Sequence, residues 1–439
     1  MQGLSRGGAA AQRASPGRAL SSQALKPPPS SSPRARPLAL RPRAVAGTAS
    51  SAAPPSSSSS KGEEGLDWSK APTGPRLRRP ENLDGAGFWV DDKCISCRVC
   101  RRMAPEVFGK AGPQSAALRA PATADEARRA WQASLSCPTF SIHPDRPDPG
   151  ALRDALGAFP IPAFQGSRHV FSNGFSDVKA IATWSYFVRR DNGAHVLFDA
   201  PRFAPPVAAS LARACRGDDG ESDGGDGDSG PAYFVLSHRD DVGEHERWAA
   251  RFPRMRRVVH EREAEAVPSL RACEVVLRGE GPWRLPDGGD DVLLVLTPGH
   301  TAGSITLLYE PEQAALVGDH LDASPPANEF GVVPPPAPPS ARQDLHVFRD
   351  FCWDSIDAQL ASVAKLAGRR VRRVLPGHGS PALFDSAADF DAAVGRLLAA
   401  ELEWGEAAAA EMLAAAGEAR AREPAAVVPV AEAAAVAQR

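Results

Sequence analysis

Three cysteines crowd KCISCRVC, at Cys94, Cys97 and Cys100, and a fourth, Cys137, precedes Pro138. No other feature constrains the chain as much. Thiolates at C-x2-C-x2-C spacing wrap three sulfurs around one face of a cubane, and a remote Cys-Pro closes the cage. Structural zinc is the alternative, but it usually takes two separate C-x2-C pairs. The triplet therefore points to a [4Fe–4S] cluster. Seven cysteines in 439 residues, so unevenly placed, do not make the paired framework of a small secreted domain. One small metal-centred unit is expected within a chain long enough for two or three domains.

VDDKCISCRVCRRMAPEVF and SCPTFSI resemble a bacterial-type ferredoxin domain with a single cluster, over about 60 residues. The resemblance implies an electron carrier of low potential, liganded by Cys94, Cys97, Cys100 and Cys137.

Downstream, apolar runs alternate with polar loops: AIATWSYFV (180–188), HVLFDA (195–200), AYFVLSH (232–238), DVLLVL (291–296), SITLLYE (304–310), AALVGD (314–319) and VRRVLPGH (371–378). Short β-rich runs with helical stretches between them fit an α/β sandwich. The expected organisation is a linker at 61–85, a cluster domain at 86–150, a sandwich at 165–385 and one Ala/Glu-rich helix with a frayed tail at 386–439. Two insertions interrupt the sandwich. Residues 216–231 are Gly/Asp/Ser-rich, and 324–342 carry prolines that remove backbone donors. Residues 1–60 contain no Asp or Glu and eight Lys or Arg among Ser, Ala and Pro, the composition of a chloroplast transit peptide, with cleavage expected near RAVA. That places the mature chain in the stroma, where a ferredoxin is an available electron donor. A net charge of −2 argues against a nucleic-acid partner, and no run of 18 apolar residues offers a membrane span.

TPGHTAGS (297–304), LVGDHL (316–321) and VLPGHG (374–379) put His300, Asp319 and His378 at strand ends beside small residues. Strand-end loops are where a sandwich gathers ligands. In this order, after LSHRDDVGEH (236–245), the motifs resemble the metallo-β-lactamase superfamily. The resemblance implies an αββα sandwich with one or two metals held by a T-H-x-H-x-D-H segment, the PGHT histidine, the GD aspartate and the late PGH histidine. His300, Asp319 and His378 match, and Asp199 in HVLFDAP fits the family's supporting aspartate. The first segment departs from the pattern. With a two-residue deletion, Ser237–His238 stands for T-H, Asp240 for the family Asp, and Asp241 for its neighbouring His. Without the gap, His238 is the middle histidine and the first is gone. His245 is a further candidate ligand, although it also suits a helix start.

The expected metal set is thus His238, Asp240, Asp241, His300, Asp319 and His378, with Asp240 and Asp241 as catalytic groups. Fewer imidazoles and more carboxylates make a harder site, which shifts preference toward iron, with manganese or zinc as alternatives. Three functions follow: iron-dependent redox chemistry fed by the cluster, metal-activated hydrolysis with a structural or sensory cluster, or a non-catalytic electron-transfer module. The substrate class, a small molecule, is otherwise open. Cys352 and Trp353 in FRDFCWDSID are expected at a buried helix start.

Overall fold

Asn82 closes the first unit onto itself. Its Nδ2 donates to Arg79 O and Val90 O, both at 2.8 Å, and its Oδ1 accepts from Val90 N and Ala117 N, both at 2.9 Å. One buried amide thereby ties three backbone segments together, as a strand would. The structure, a computed structural model, describes residues 74–216, 229–323, 344–423 and 426–427. The proposed leader with its cleavage point, the middle of the 216–231 insertion, the 324–342 insertion and the residues after 427 lie outside the described residues.

The cluster unit comprises β1 (Phe88–Val90), α1 (Val99–Met103), β2 (Phe108–Ala111), β3 (Gln114–Ala117), α2 (Ala124–Ser136) and β4 (Ile142–Pro144). β1 pairs with β4, and β2 with β3, in two antiparallel ribbons. The linker expected at 61–85 ends sooner: Arg79 and Asn82 are buried, and Arg79 Nη2 donates to Ala111 O at 2.8 Å. Past Pro144 the chain stays ordered into a helix. It forms α3 (Pro149–Gly157), capped by Asp148, whose side chain accepts from Ala151 N.

Two seven-stranded sheets form the body. The first contains β5 (Ile161–Pro162), β6 (Val170–Ser172), β7 (Tyr186–Val188), β8 (Val196–Phe198), β9 (Tyr233–Val235), β10 (Arg256–His260) and β11 (Val275–Leu277), adjacent in chain order. Helices α4 (Pro205–Arg216), α5 (His245–Arg251) and α6 (Glu261–Ala266) connect its parallel strands. The second contains β12 (Trp283–Arg284), β13 (Val292–Leu296), β14 (Ile305–Tyr309), β15 (Ala314–Gly318), β16 (Arg373–Pro376) and β17 (Ala382–Leu383), with β18 (Ala426–Val427) as its seventh strand beside β12. Helix α7 (Ile356–Leu366) precedes β16. Helices α8 (Ala387–Glu401) and α9 (Gly405–Ala421) follow β17.

VLLVL shows why the strands read as unbroken apolar runs. Leu294 and Leu296 join the core between the sheets, while Leu293 and Val295 join a second core under Leu360, Val363, Phe390 and Val394 of α7 and α8. A strand covered on both faces needs apolar side chains at both parities. The architecture is an α/β sandwich, helices outside two sheets, with the small cluster unit before it.

Three local expectations are corrected. The run 180–188 is strand only from Tyr186, because residues 178–180 form a 3₁₀ turn and both Ile181 (φ 48°) and Ala182 (φ 67°) are left-handed. The C-terminal segment is two helices rather than one, broken at Leu402 and restarted at Gly405. A two-residue strand, β18 (Ala426–Val427), then pairs with β12. Trp353 is 58% exposed and precedes α7, whose cap is Ser355, so it is no buried helix start.

Candidate metal centres

The four cysteines line one cavity with Val90, Ile95, Val99, Ser115, Thr139, Ser141 and Ile142. Left-handed Ser96 (φ 57°) and Arg98 (φ 68°) turn the backbone so that Cys94, Cys97 and Cys100 face inward. None of the four is in a disulfide. Burial, and after it the neighbouring cysteines, push the Cys97 thiol well up; burial pushes Cys100 to about 12. Four cysteine sulfurs around one cavity are a donor set that ferrous and ferric ions neutralise, so the residues fit the cluster. Backbone N–H groups are already aimed at the sulfurs: Ser96 N at Cys94 Sγ (3.5 Å) and Ser141 N at Cys137 Sγ (3.3 Å).

The second centre gathers at one end of the sandwich. Two sets of donors each lie within 4.8 Å of one another, His238–His300–Asp319 and Asp241–Asp319–His378, with Asp319 common to both. His238 follows β9, His300 follows β13, Asp319 follows β15 and His378 follows β16. His238 Nε2 stands 3.7 Å from Asp319 Oδ2, and His300 Nε2 stands 3.8 Å from it. Two donors about 2.1 Å from one ion at a tetrahedral angle are roughly 3.4 Å apart, so these spacings suit a shared cation.

The polar accounting agrees. His238 Nε2, His300 Nε2 and both Asp241 carboxylate oxygens are buried without a hydrogen-bond partner. Such atoms are costly unless something satisfies them. Burial lowers His238 to about 4, which keeps it a neutral ligand. Burial, with Asp319 beside it, raises Asp241 well above the usual carboxylate range. For His378 burial opposes the charge, but the Asp319 carboxylate outweighs it and raises the imidazole to about 10. His378 Nδ1 faces Asp319 Oδ1 at 2.6 Å, while Nε2 donates to Ile181 O at 2.8 Å.

Support comes from the surrounding backbone. Ser237 Oγ and His238 Nδ1 share a hydrogen bond at 2.8 Å, and Asp199 Oδ1 accepts from Ser237 N at 2.8 Å. Burial pushes the Asp199 carboxyl to about 8, and the residue itself is left-handed at φ 55°.

Asp240 belongs to neither triad, yet its Oδ2 stands 3.9 Å from His238 Nε2, beside the first of them. Adjacent residues in the turn 239–241 face different ways: Asp241 is buried at the second triad, whereas Asp240 sits on the rim. Asp240 Oδ2 lies 3.4 Å from His300 Nε2 and accepts from Trp353 Nε1 at 3.0 Å. His245 is elsewhere, beside Arg257 Nη1 (3.2 Å) and Ser269 Oγ (3.4 Å).

Two residues escape a reading of the sequence. Trp353 fixes the rim twice, through its indole and through its N–H to His300 O at 2.8 Å. Buried Glu263 accepts from Arg239 N (3.0 Å) and Gly303 N (2.7 Å), stapling the loop of His238 to the loop of His300. Glu263→Ala strands both N–H groups at about 1–3 kcal/mol each. Chemical denaturation should show the loss as a lowered midpoint; an unchanged midpoint would remove the staple.

Residues 90–144 match the family model of the 4Fe-4S single cluster domain of Ferredoxin I. No curated protein matches the chain. Among solved structures, it is similar to a metallo-beta-lactamase from Pontibacter korlensis at 12% identity and a TM-score of 0.34, covering 53% of this chain and 97% of that one. BLEG-1 B3 metallo-beta-lactamase gives 18% identity, a TM-score of 0.31, and coverage of 47% and 90%. The metallo-beta-lactamase from Hirschia baltica gives 11% identity, 0.32, and coverage of 48% and 85%.

Proposed function

We propose that this protein is an iron-dependent oxidoreductase in which the cluster unit passes single electrons to an ion held by the His/Asp triads. One observation carries the reading. Cys97 packs on the buried cluster of Ile95, Val178 and Ala182, and the same turn supplies the Ile181 carbonyl that holds His378. The two centres therefore share one short turn, which a hydrolase with an unrelated cluster does not require. His238, His300 and Asp319 offer two imidazoles and a carboxylate, a set suited to non-haem iron with open positions. Asp241 and His378 extend it around the shared Asp319.

An iron ion at this set supplies one-electron chemistry when bound. The chain's own groups do the rest. His238 stays neutral, His378 keeps its Nε2 proton on Ile181 O, and Asp240 offers a carboxylate on the rim, oriented by the Trp353 indole, to hold or accept a proton from a substrate. Removing cations from the triads restores the unpartnered buried atoms, so chelation is expected to lower stability as well as activity.

Hydrolysis is the second reading. The placement of Asp240 beside a triad favours it, since that carboxylate could orient a metal-activated water. Metal analysis separates the two. Protein purified without oxygen from iron-replete cells should hold about four cluster irons and at least one more. Zinc alone at the triads, with turnover indifferent to cluster reduction, would replace the redox reading by the hydrolytic one. A stromal ferredoxin is the electron donor we propose, on the composition of the leader.

A further inference from the structure

The loop of His378 is gripped by the cluster unit rather than by the sandwich alone. Arg102, two residues beyond Cys100, donates through Nη2 to Tyr186 Oη at 2.9 Å and through Nη1 to Gly379 O at 3.5 Å. Its guanidinium lies 3.9 Å over the Trp184 ring. Tyr186 Oη in turn donates to Pro376 O at 2.7 Å, and Arg98, between Cys97 and Cys100, reaches Ser380 Oγ at 3.4 Å. On the other side, Cys97 and Ile95 back the turn whose Ile181 carbonyl fixes the His378 ring. His378 is thus held before, behind and at its far nitrogen by contacts that lead back to the cluster loop.

The two histidines of the other triad have no such dependence. His238 is fixed by Ser237, and His300 by Trp353 N–H and the Glu263 staple, all within the sandwich. The element that carries Arg102 is also weak in isolation. α1 has five residues, and its cap, Arg98, makes no side-chain capping bond. A helix that short is unstable without tertiary anchors. Cys97 and Cys100 flank its start, so cluster ligation supplies two of them.

We infer that Arg102 and the 178–182 turn are positioning elements through which the intact cluster sets the metal affinity of Asp241–Asp319–His378, leaving His238–His300–Asp319 unaffected. This rests on the reading that the triads bind metal, but on neither redox nor hydrolytic chemistry. Loss of the cluster to oxygen would then empty one metal position selectively and turn the enzyme down before it unfolds.

Mn2+ is the suitable probe, since it prefers oxygen and nitrogen donors to free thiols. Free Mn2+ is followed by its EPR signal during anaerobic titration of protein stripped by chelator at the triads. Cluster-loaded wild type should bind two equivalents. Arg102→Met with its cluster intact, and cluster-free Cys97→Ser, should bind the first equivalent as before and the second about 10–100-fold more weakly, the scale of lost outer-shell support. Unchanged affinity at both positions in Arg102→Met overturns the inference. Equal weakening at both also overturns it, as a general loss of stability. Arg102→Met keeps the test open if Cys97→Ser fails to fold. No Mn2+ bound by wild type at all would instead overturn the metal reading itself.

Discussion

His300→Ala should lose metal from the His238–His300–Asp319 triad while the visible absorbance of the cluster stays at the wild-type level. The imidazole is buried, its Nε2 has no hydrogen-bond partner, and it stands 3.8 Å from Asp319 Oδ2 and 3.4 Å from Asp240 Oδ2. Alanine removes one of three donors. Loss of an outer-shell partner alone costs about 10–100-fold in affinity, so loss of the ligand should exceed the upper end of that range. Among the described residues, His300 meets His238, Trp353, Asp240 and Asp319, none of which lines the cluster cavity. Element analysis and the absorption spectrum of one anaerobic preparation are sufficient. Disappearance of both cluster and triad metal would mean that the two centres are not separate.

The motifs that could be read in the sequence are the ones whose geometry is local. PGHT, GDH and PGHG place a ligand right after a strand with glycine beside it, and C-x2-C-x2-C folds its own loop around three sulfurs. Those motifs resemble a sandwich family, and DVLLVL reads as one apolar run among several; that both its faces are covered is visible only in the fold. What escaped depends on distance along the chain. Trp353 meets Asp240 across 113 positions, and Glu263 meets Gly303 across 40. Neither residue carries a local signature, since a buried Glu in EREAEA looks like any solvated helix. Asn82 falls in the stretch expected to be linker, because an amide that stands in for a strand has no periodicity to betray it. The break between α8 and α9 is marked only by Gly405 (φ 54°) within an otherwise uniform Ala/Glu run. The pair Asp240–Asp241 shows the limit most plainly. Two identical side chains in sequence differ in setting because a turn buries one and leaves the other at the rim, 3.0 Å from an indole that only the fold brings there.

Two glycines in the same motif class should respond in opposite ways to alanine, and the contrast tests the second triad directly. At Gly377 a Cβ would lie 2.7 Å from Thr183 Oγ1, 2.9 Å from Asp319 Oδ1 and 3.0 Å from Asp241 Oδ2. All three are side-chain tips, so the fold can yield while the donors are pushed apart. Gly377→Ala should therefore keep its cluster and nearly its wild-type denaturation midpoint, yet lose the Asp241–Asp319–His378 metal. At Gly299 a Cβ would lie 2.3 Å from Gln359 Cα and 2.5 Å from Gln359 N, at φ 143°. Backbone cannot step aside, and α7 would have to leave the loop of His300. Overpacking at about 1–3 kcal/mol and a left-side backbone angle at about 1–3 kcal/mol add to roughly 2–6 kcal/mol. Gly299→Ala should thus lower the denaturation midpoint strongly and lose triad metal through misfolding. Metal counted per folded protein, beside the midpoint, separates the cases. If Gly377→Ala keeps its full metal content, the methyl is not entering a ligand set, and Asp241, Asp319 and His378 do not hold an ion together.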